Sequence, residues 1–374
     1  MRAQRVLVVG GGPAGMAAAI AFTRRGASVI LVEIDADWAA SGVGLTLLGP
    51  TLRVLDELGL ADACVQAGFA QDHADFRNAQ GELTAVVPFP RVAAERLPCA
   101  VCITRPMFHR VLAGHTVEAG VDVRLGVTAD AIDLTDGVAA VELSDGSRER
   151  FDLVVAADGL HSRVRQLVFE HVPPARFTGQ AIWRTLVPRP RSLDVYQMFY
   201  GRRAKFGLVP VSDEGLYVFA VQNVPDASRP PRELLAELMR EQLDADGELV
   251  EDVRGAIVDP ARVDYRPMEA MLVPAPWHRG AVVLVGDAAH TTTPHLAFGA
   301  GIAMEDAIVL SELAAIEAER AGALERYVER RYERCRLVVE NSVQLGAWEQ
   351  EPGHPDADPA RLTRESWDVL REPL

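Results

Sequence analysis

Uninterrupted apolar runs mark the places where buried parallel strands are predicted. Val6–Val9 near the start and Ala281–Val285 near the end are rich in β-branched residues and show no polar alternation, as expected of strands buried on both faces. Ser28–Glu33 is a third strand, and the Ala-rich segment Met16–Arg25, ended by Gly26, predicts a helix between the first and the third. The start of the chain therefore predicts a β-α-β unit.

In the middle of the chain the pattern changes to short β-rich runs separated by turn residues. Leu193–Tyr200, Lys205–Val209 and Leu216–Val221 lie within a region from about 177 to 224 that predicts a mostly antiparallel sheet. The segment Pro230–Leu243 then predicts a helix with proline near its start. This β-rich region interrupts the α/β pattern on either side of it.

A hairpin and two late helices complete the predicted elements. Ala139–Leu143 and Arg150–Ala156 flank the turn Ser-Asp-Gly-Ser, which favours a hairpin. After the late strand, a long helix is predicted from about Gly299 to Ala318. A charged helix with apolar positions at helical spacing is predicted from about Ala323 to Gln344.

The composition is that of an acidic globular protein. Of 374 residues, 38 are Lys or Arg and 53 are Asp or Glu, which gives a formal charge of −15. An excess of acid repels phosphates, so it argues against a nucleic-acid partner and against an anionic membrane surface. The length predicts two closely joined domains or one large one.

The four cysteines are few for this length and favour a reducing compartment. Cys99 and Cys102 form a C-x-x-C, but the run resembles a strand and lacks the helix of a redox motif and the second pair of a zinc site. Ordinary packing and no metal site are predicted. No apolar run approaches the roughly 20 residues of a spanning helix, and the N-terminal run leads into glycines, unlike a signal peptide. We therefore expect a cytoplasmic protein.

A glycine-rich turn follows the first predicted strand as Gly10-x-Gly12-x-x-Gly15, and Glu33 ends the next strand. The glycines permit a tight turn and a close approach of the backbone to a pyrophosphate, while the helix N-terminus offers unpaired N–H groups. Glu33 can accept hydrogen bonds from the hydroxyls of an adenosine ribose. The predicted dinucleotide-binding residues are Gly10, Gly12, Pro13, Ala14, Gly15 and Glu33.

A second motif indicates which dinucleotide is bound. Gly286-Asp287-Ala-Ala-His290 follows the late strand, so Asp287 is placed to accept hydrogen bonds from a polyol chain, which FAD has and NAD lacks. The next helix directs its N–H groups towards an anionic reduced flavin. Asp287 taken alone is equally consistent with a helix-capping or turn acid. The residues predicted to lead into this helix beside the flavin are Pro294, Gly299, Ala300 and Gly301.

The sequence resembles the class A flavoprotein aromatic hydroxylases, which have the para-hydroxybenzoate hydroxylase fold. The resemblance rests on the glycine turn, on Asp158-Gly159 and on the Gly286-Asp287 motif, whose order and spacing also match. It covers most of residues 1 to about 345. It implies that Asp158 and Gly159 contact both FAD and a reduced nicotinamide cofactor. It also implies that Asp287 binds the ribityl chain and that Arg105 reaches the FAD phosphates.

Further positions follow from the same resemblance. Gly42, Val43 and Gly44 resemble the mobile loop beside the isoalloxazine ring, where small residues let the flavin swing. Val127 is grouped with the cofactor-binding residues. The stretch Trp183-Arg184 is similar to a recurrent family stretch near the start of the substrate-domain sheet, where a structural role is as consistent as a functional one.

The fold class predicted from pattern and resemblance is α/β. It comprises a discontinuous Rossmann-like FAD-binding domain, an inserted mostly antiparallel β-sheet substrate domain, and C-terminal helices. The FAD-binding domain is predicted at 1–75, 99–175 and 267–320. The β-rich substrate domain is predicted at 76–98 and 176–266, and the C-terminal helical segment at 321–374.

The resemblance implies a reaction cycle. NADH or NADPH reduces bound FAD, the reduced flavin captures O₂ as a C4a-hydroperoxide, and an oxygen atom passes to an aromatic or heteroaromatic ring. No second strand–glycine–helix fingerprint occurs in the sequence, so the nicotinamide cofactor is expected to bind transiently. The expected partner is a small aromatic molecule, and the expected assembly is a monomer or homodimer.

Three side chains are candidates for handling the substrate. Tyr217 and Lys205 fall on neighbouring predicted strands and can orient a hydroxyl or carboxylate, although either is also consistent with a surface or sheet-packing residue. His295 is a candidate base with a pKa near working pH, or alternatively a loop histidine in water. His290 belongs to the second motif and is assigned a structural role.

Two other functions remain open at this point. One is a flavin-dependent oxidoreductase or dehydrogenase of the same fold that inserts no oxygen. The other is a non-catalytic flavin- or nucleotide-sensing protein that uses the fold as a binding module. A flavin halogenase is disfavoured because the Trp-x-Trp-x-Ile-Pro pattern is absent from the sequence.

Overall fold

A computed structural model describes residues 4–40, 42–135, 137–316 and 320–374. The strands are β1 Arg5–Val9, β2 Ser28–Glu33, β3 Gly44–Leu48, β4 Phe69–Gln71, β5 His73–Arg77, β6 Leu83–Pro88, β7 Ala100–Thr104, β8 Asp122–Leu125, β9 Ala129–Thr135, β10 Val138–Leu143, β11 Arg148–Phe151, β12 Leu153–Ala156, β13 Arg176–Pro188, β14 Tyr196–Tyr200, β15 Lys205–Pro210, β16 Gly215–Asn223, β17 Asp264–Leu272, β18 His278–Arg279, β19 Val282–Leu284 and β20 His290–Thr291.

The helices are distributed along the whole chain. They are α1 Pro13–Arg24, α2 Gly49–Glu57, α3 Ala61–Ala67, α4 Arg105–Glu118, α5 Arg163–Val168, α6 Leu235–Gln242, α7 Glu248–Ala256, α8 Gly299–Ile316, α9 Arg320–Gln350 and α10 Pro359–Arg371. Short 3₁₀ turns lie at Arg232–Leu234, Pro260–Arg262, Gly286–Ala288 and Pro294–Leu296. Within the described part of the chain, none of these helices is both long and apolar enough to cross a membrane.

The first sheet has six strands in the order β18-β19-β12-β1-β2-β8. Its central strands pair in parallel and β18 pairs antiparallel to β19. The strands β1, β12 and β19 are almost fully buried, which explains their uninterrupted apolar sequences. Helices α1 and α8 pack against each other beside this sheet, so residues from both ends of the chain build one layer.

The second sheet has eight strands in the order β20-β17-β13-β16-β15-β14-β5-β6 and is antiparallel except where β14 pairs with β5. One face is covered by α6 and α7, whose apolar side chains join a core with Trp183, Phe206 and Val218. The opposite face carries Tyr217 and meets β7 and the segment at Val43. We call this second surface the Tyr217 face.

The structure confirms the predicted α/β architecture and departs from the sequence patterns in detail. The apolar run Arg150–Ala156 is two strands and not one: β11 forms a small sheet with β9 and β10, whereas β12 joins β1. The break falls at Asp152, whose N–H donates to the Arg5 carbonyl oxygen and whose Oδ2 accepts a hydrogen bond from the Arg5 N–H. This pairing draws the second half of the run into the parallel sheet.

Other departures concern boundaries. Strand β17 runs from Asp264 to Leu272 and therefore crosses the boundary predicted between 266 and 267. The helix predicted from Pro230 reaches α-helical geometry only at Leu235, after a 3₁₀ turn, and Pro230 stays outside it because the residue before a proline is disfavoured from helical geometry. Helix α9 extends to Gln350, and α10 lies within the C-terminal helical segment predicted at 321–374, where no pattern marked it as a separate helix. The predicted helix end at residues 317–318 lies outside the described residues.

Candidate active site

The glycine turn lies between β1 and α1, as predicted. A Cβ at Gly10 would lie 2.4 Å from the Ala157 carbonyl oxygen, and one at Gly15 would lie 1.8 Å from the Gly10 carbonyl oxygen. Both glycines are therefore needed for close packing inside the protein. Gly12 differs, because no described atom beyond its chain neighbours lies within 4 Å of its Cβ position. Helix α1 begins at Pro13, directly after Gly12, with Ala14 buried beneath, so its N-terminus faces this open space.

Glu33 lies at the far side of the same turn. Its Oε2 accepts a hydrogen bond from the Gly11 N–H at 2.6 Å, and its Oε1 accepts one from the Asp35 N–H at 2.8 Å. These bonds fix the orientation of the carboxylate while leaving each oxygen a further lone pair. Val127 lies next to this strand end, with its N–H donating to the Glu33 carbonyl oxygen at 2.9 Å.

A cavity of about 180 Å³ opens at this turn. Trp38, which sequence analysis missed, forms one wall: its Nε1 donates to the Gly11 carbonyl oxygen at 2.9 Å, and its ring meets His109 edge-on at 5.6 Å. The residues that line the cavity are Gly11, Gly12, Pro13, Glu33, Trp38, Ala39, Ala40, Arg105, Phe108 and His109. Open space at Gly12, a helix N-terminus, an acid and an arginine fit the ADP half of FAD.

The Asp158-Gly159 motif follows β12 at the same edge of the sheet. Asp158 accepts hydrogen bonds from the Ser162 hydroxyl at 2.5 Å and the Val164 N–H at 3.0 Å, so its carboxylate fixes the start of α5. Gly159 has a φ of +79°, which favours glycine. Arg165 joins this turn to the second motif, since its guanidinium donates to the carbonyl oxygens of Leu160 at 2.6 Å and Ala288 at 2.9 Å.

The second motif follows β19 and brings Asp287 close to Arg105. The Asp287 side chain has accessible surface although protein surrounds its carboxylate, as expected at the wall of an internal cavity. Burial raises the pKa of Asp287, opposed by the charges of His290 and Arg105. Asp287 therefore lies near Arg105, which lines the nucleotide cavity and also lies near Tyr217.

A buried ion network lies behind this motif. Oδ2 of Asp306 accepts a hydrogen bond from the Gly286 N–H at 2.9 Å, and Oδ1 accepts one from Nε of Arg331 at 2.8 Å. Arg331 also pairs with Glu305 at 2.9 Å. Burial raises the pKa of Asp306, but His290 and Arg331 outweigh burial and hold it at about 2. Asp306 is therefore ionised and fixes the turn that carries Asp287.

The segment after the motif leads into α8. Pro294 starts a 3₁₀ turn, Ala297 takes the left-handed conformation with φ +50°, and α8 begins at Gly299. A Cβ at Gly301 would lie 2.3 Å from the Phe298 ring, so helix and turn pack closely there. The first turn of α8, which includes Ala300, has N–H groups without partners within the helix, and α8 packs against the 3₁₀ turn Gly286–Ala288 that carries Asp287.

The predicted mobile loop lies against the Tyr217 face. Gly42 has a φ of +97°, and a Cβ there would lie 2.7 Å from Cδ of Arg105. A Cβ at Gly44 would lie 2.5 Å from Cγ of Tyr217, and Val43 packs in the same apolar cluster. The small residues of this loop thus let Arg105 and Tyr217 approach from opposite sides.

Tyr217 is 6% exposed. Burial raises the pKa of its hydroxyl, opposed by the positive charges of Arg184 and Arg105. Register places Arg184 opposite Phe219, two residues from Tyr217 on the same face. Arg184 and Arg266 both pair with Asp264, at 3.4 Å and 3.1 Å.

The other two catalytic candidates share one partner, Glu349 at the end of α9. Lys205 forms an ion pair with Oε1 of Glu349, and Nε2 of His295 lies 3.3 Å from Oε2. Nδ1 of His295 lies 2.9 Å from the Thr293 hydroxyl. The alternative of a loop histidine in water is wrong, because the His295 side chain is 2% exposed. Burial lowers the pKa of His295, opposed by Glu349, so the ring is neutral at pH 7.

The cysteines of the C-x-x-C are buried and free, as predicted. Burial raises the pKa of Cys102 to about 12, so this thiol is not a nucleophile at neutral pH. Cys335 lies behind the second motif with His290 and Asp306 in a group close enough to hold a metal. The Arg331 guanidinium already supplies the positive charge at that position.

Sequence analysis missed residues that have no local pattern. Trp38 lies in a loop, while Asp264, Arg331 and Glu349 act through partners far along the chain. The only signal in the sequence was a charged residue at a helical position where an apolar residue is expected. Arg331, among the buried residues of α9, is such a case.

The fold and the site define an FAD-binding enzyme with a Rossmann-like sheet and a second, mostly antiparallel β-sheet. Residues 3–342 match the profile of a family described as FAD binding domain. The chain is 30% identical over 359 residues to the aurachin C monooxygenase/isomerase of Stigmatella aurantiaca, which covers 92% of this chain and 90% of that protein. The chain belongs to the class A FAD-dependent aromatic hydroxylases, and FAD is its cofactor.

Solved structures agree with this assignment. A variant of HpxO from Klebsiella pneumoniae complexed with FAD superposes with a TM-score of 0.83 at 25% identity, covering 98% of this chain and 94% of that one. The tetrameric form of 2-methyl-3-hydroxypyridine-5-carboxylic acid oxygenase superposes with a TM-score of 0.79 at 25% identity, covering 97% of both chains. The protein is thus an FAD-dependent monooxygenase by family.

Proposed function

We propose that the protein hydroxylates a small aromatic or heteroaromatic ring held between FAD and the Tyr217 face. In the overall reaction, NAD(P)H, a proton, O₂ and the ring give NAD(P)⁺, water and the hydroxylated ring. One observation carries the proposal: Tyr217 reaches the glycine loop at Gly44, on the side where Arg105 and Asp287 converge. A ring on this face therefore lies beside the position of the isoalloxazine.

Bound FAD supplies the oxidation of NAD(P)H and the activation of O₂. The protein's own groups hold that cofactor and the ring. Gly12 and the α1 N-terminus receive the pyrophosphate, Glu33 the ribose, and Asp287 the ribityl chain. Arg105 would bind the phosphates, and the N-terminus of α8 would stabilise negative charge on the flavin.

The substrate is oriented by Tyr217, whose buried hydroxyl lies beside Arg184. Neutral His295 and Lys205 lie at the other end of the face, both held by Glu349. Water exclusion by the buried sheet face favours transfer to the ring over release of hydrogen peroxide.

NADH or NADPH binds transiently in this proposal. Support comes from Asp158, whose carboxylate is committed to Ser162 and Val164, so the motif presents backbone at Gly159 to a visiting cofactor and not a charged side chain. We propose that the protein is a monomer or a homodimer.

The test is a panel of phenols, hydroxypyridines and quinolines added to the FAD-loaded protein with NADH or NADPH under ¹⁸O₂. We expect a ring compound to accelerate NAD(P)H consumption. We also expect its product to contain one ¹⁸O atom. Stimulated consumption with all oxygen appearing as peroxide or with no label in the product would instead indicate the reductase alternative. No consumption with any compound would favour the sensor alternative.

A further inference from the structure

The Tyr217 face continues across the second sheet to its outer strand, β6. Residues that pair directly across neighbouring strands point to the same side of a sheet. Phe219 lies two residues after Tyr217 on β16, and the residues paired with it in turn on β15, β14, β5 and β6 are Gly207, Met198, Phe76 and Ala85. We call these five residues the Phe219 row. The row starts beside the candidate substrate site and ends at the last strand of the sheet.

The inner end of the row contacts Tyr217. The centroid of the Phe219 ring lies 5.6 Å from the centroid of the Tyr217 ring. A Cβ at Gly207 would lie 2.2 Å from Cε1 of Phe219, so the absence of a side chain at Gly207 lets the Phe219 ring lie across β15. The aromatic surface at Tyr217 therefore extends over β15 towards Met198 on the next strand.

Beyond β15 the row is apolar although solvent reaches it. Met198 and Phe76 are half-buried and Ala85 is exposed. Asp75 and Gln197 pair with each other one position away and point to the other side of the sheet, because side chains alternate along a strand. On a sheet face that meets only water, polar residues are expected instead. The outer part of the row therefore has the composition of a surface that an apolar group covers.

The position of the row favours the substrate as that apolar group. The row is continuous with the Tyr217 surface, where the substrate ring is proposed to lie, and it contains no charged side chain. Neighbouring strands lie about 4.8 Å apart, so the path from β16 to β5 measures about 14 Å. A single aromatic ring is shorter than this path, whereas a ring with a substituent of several carbons can follow it.

We propose that the substrate carries an apolar substituent, such as an alkyl chain, that lies along the Phe219 row while its ring lies at Tyr217. The inference rests on the proposed function and specifies its substrate class. Contact with Met198 and Phe76 removes the substituent from water, which favours binding by about two- to fourfold for each methylene group. The unbranched side chain of Met198 adapts to a chain of variable shape. The substituent contributes affinity and orientation, and the reacting atoms belong to the ring.

The experiment measures the affinity of the FAD-loaded protein for 4-alkylphenols and for 6-alkylpyridin-3-ols with chains from ethyl to octyl. Isothermal titration calorimetry, at concentrations below micelle formation, gives dissociation constants that do not depend on turnover. We expect each added methylene to tighten binding about two- to fourfold in at least one series. The inference is overturned if no octyl compound binds, or if octyl compounds bind at most about threefold more tightly than ethyl compounds.

Variants separate the row from general hydrophobic binding. Met198→Gln makes the side chain polar at nearly the same length, so the ratio of the ethyl to the octyl dissociation constant should fall about tenfold. Val86→Gln is the matched control, because Val86 is 54% exposed on the outer strand but pairs with Asp75 on the other side of the sheet. Its ratio should equal that of the wild type. An equal fall in both variants, or no fall in Met198→Gln, contradicts the inference, and Phe76→Gln provides the same comparison if Met198→Gln does not fold.

A second copy of the chain would cover the row without any substrate. In that case Met198→Gln should lower the sedimentation coefficient and chain length should leave affinity unchanged, a result that overturns the inference.

The two proposals fail differently. Oxygen insertion into a ring, with no dependence of affinity on chain length, leaves the hydroxylase function standing and removes the apolar substituent. Dependence of affinity on chain length, with no compound stimulating NAD(P)H consumption, leaves the binding surface standing and removes the hydroxylase function.

Discussion

Nε2 of His290 lies 2.6 Å from Oδ2 of Asp306, and neither side chain is more than 1% exposed. The same oxygen accepts the Gly286 N–H, so a histidine and a backbone amide on the second motif share one acid on α8. This contact makes the second motif, from Gly286 to His290, part of the protein core. Charge interactions as well as packing hold that segment in place.

Asp306→Asn should destabilise the protein by about 3–5 kcal/mol, because it removes the charge that balances buried Arg331. The turn at Gly286 should loosen as well, so purified protein should retain less FAD. Urea unfolding and the ratio of flavin to protein absorbance measure the two effects. Unchanged stability together with full flavin content would show that Glu305 alone suffices for Arg331.

Gly12→Val should abolish FAD retention without unfolding the protein. The backbone at Gly12 has φ −79° and ψ −178°, which any residue adopts, and the added side chain meets open space that the pyrophosphate needs. Gly15→Ala is the contrast, because its Cβ would collide with the Gly10 carbonyl, so it should lower thermal stability. A yellow Gly12→Val protein would contradict the assignment of the nucleotide site.

Asp287→Ala should weaken FAD binding by about 1.5–3 kcal/mol, the size of a charge-assisted hydrogen bond. The reason is its position beside Arg105 at the cavity wall. Quenching of flavin fluorescence on titration gives the dissociation constant, and Asp287→Asn, which keeps an acceptor oxygen, should lose less. Equal affinity of the wild type and the alanine variant would mean that Asp287 faces elsewhere.

Tyr217→Phe should leave FAD content and fold intact, raise the substrate KM, and divert reducing equivalents to hydrogen peroxide. A ring displaced by even 1 Å can lose on the order of 10²-fold in rate. The measurement is the ratio of hydroxylated product to NAD(P)H consumed. Tyr265→Phe, whose ring packs on Trp183 on the opposite face, serves as control. Coupling as in the wild type would remove Tyr217 from the site.

Stability in acid should depend on Glu349. Burial raises the pKa of Glu349, but hydrogen bonding to His295 and the charge of Lys205 outweigh it and hold the value at about 2, below the ordinary 4.5. The ionised form therefore stabilises the fold above pH 4.5, and this contribution disappears as the pH falls towards 2. Glu349→Gln should show a smaller difference between urea midpoints at pH 6 and pH 3 than wild type does. An identical difference in both proteins would exclude this contribution.

The local elements were predictable where one residue's environment is set by its sequence neighbours. The strand at Val6, the turn at Gly10 and the helix at Pro13 follow from glycine geometry and buried apolar runs. The Asp306 network and the shared acid Glu349 were not, because each forms between segments far apart in the chain. Lys205 and His295 were predicted as separate candidates. Nothing in the sequence indicated that one carboxylate contacts both.

The interleaved order of the first sheet also bears on synthesis at the ribosome. Strand β12 is complete at residue 156, yet its outer neighbour β19 begins only at residue 282. At about 5–20 residues per second, translation leaves that edge bare for on the order of ten seconds, exposing unpaired backbone that invites aggregation. The sheet that carries the glycine turn is therefore complete only late in translation.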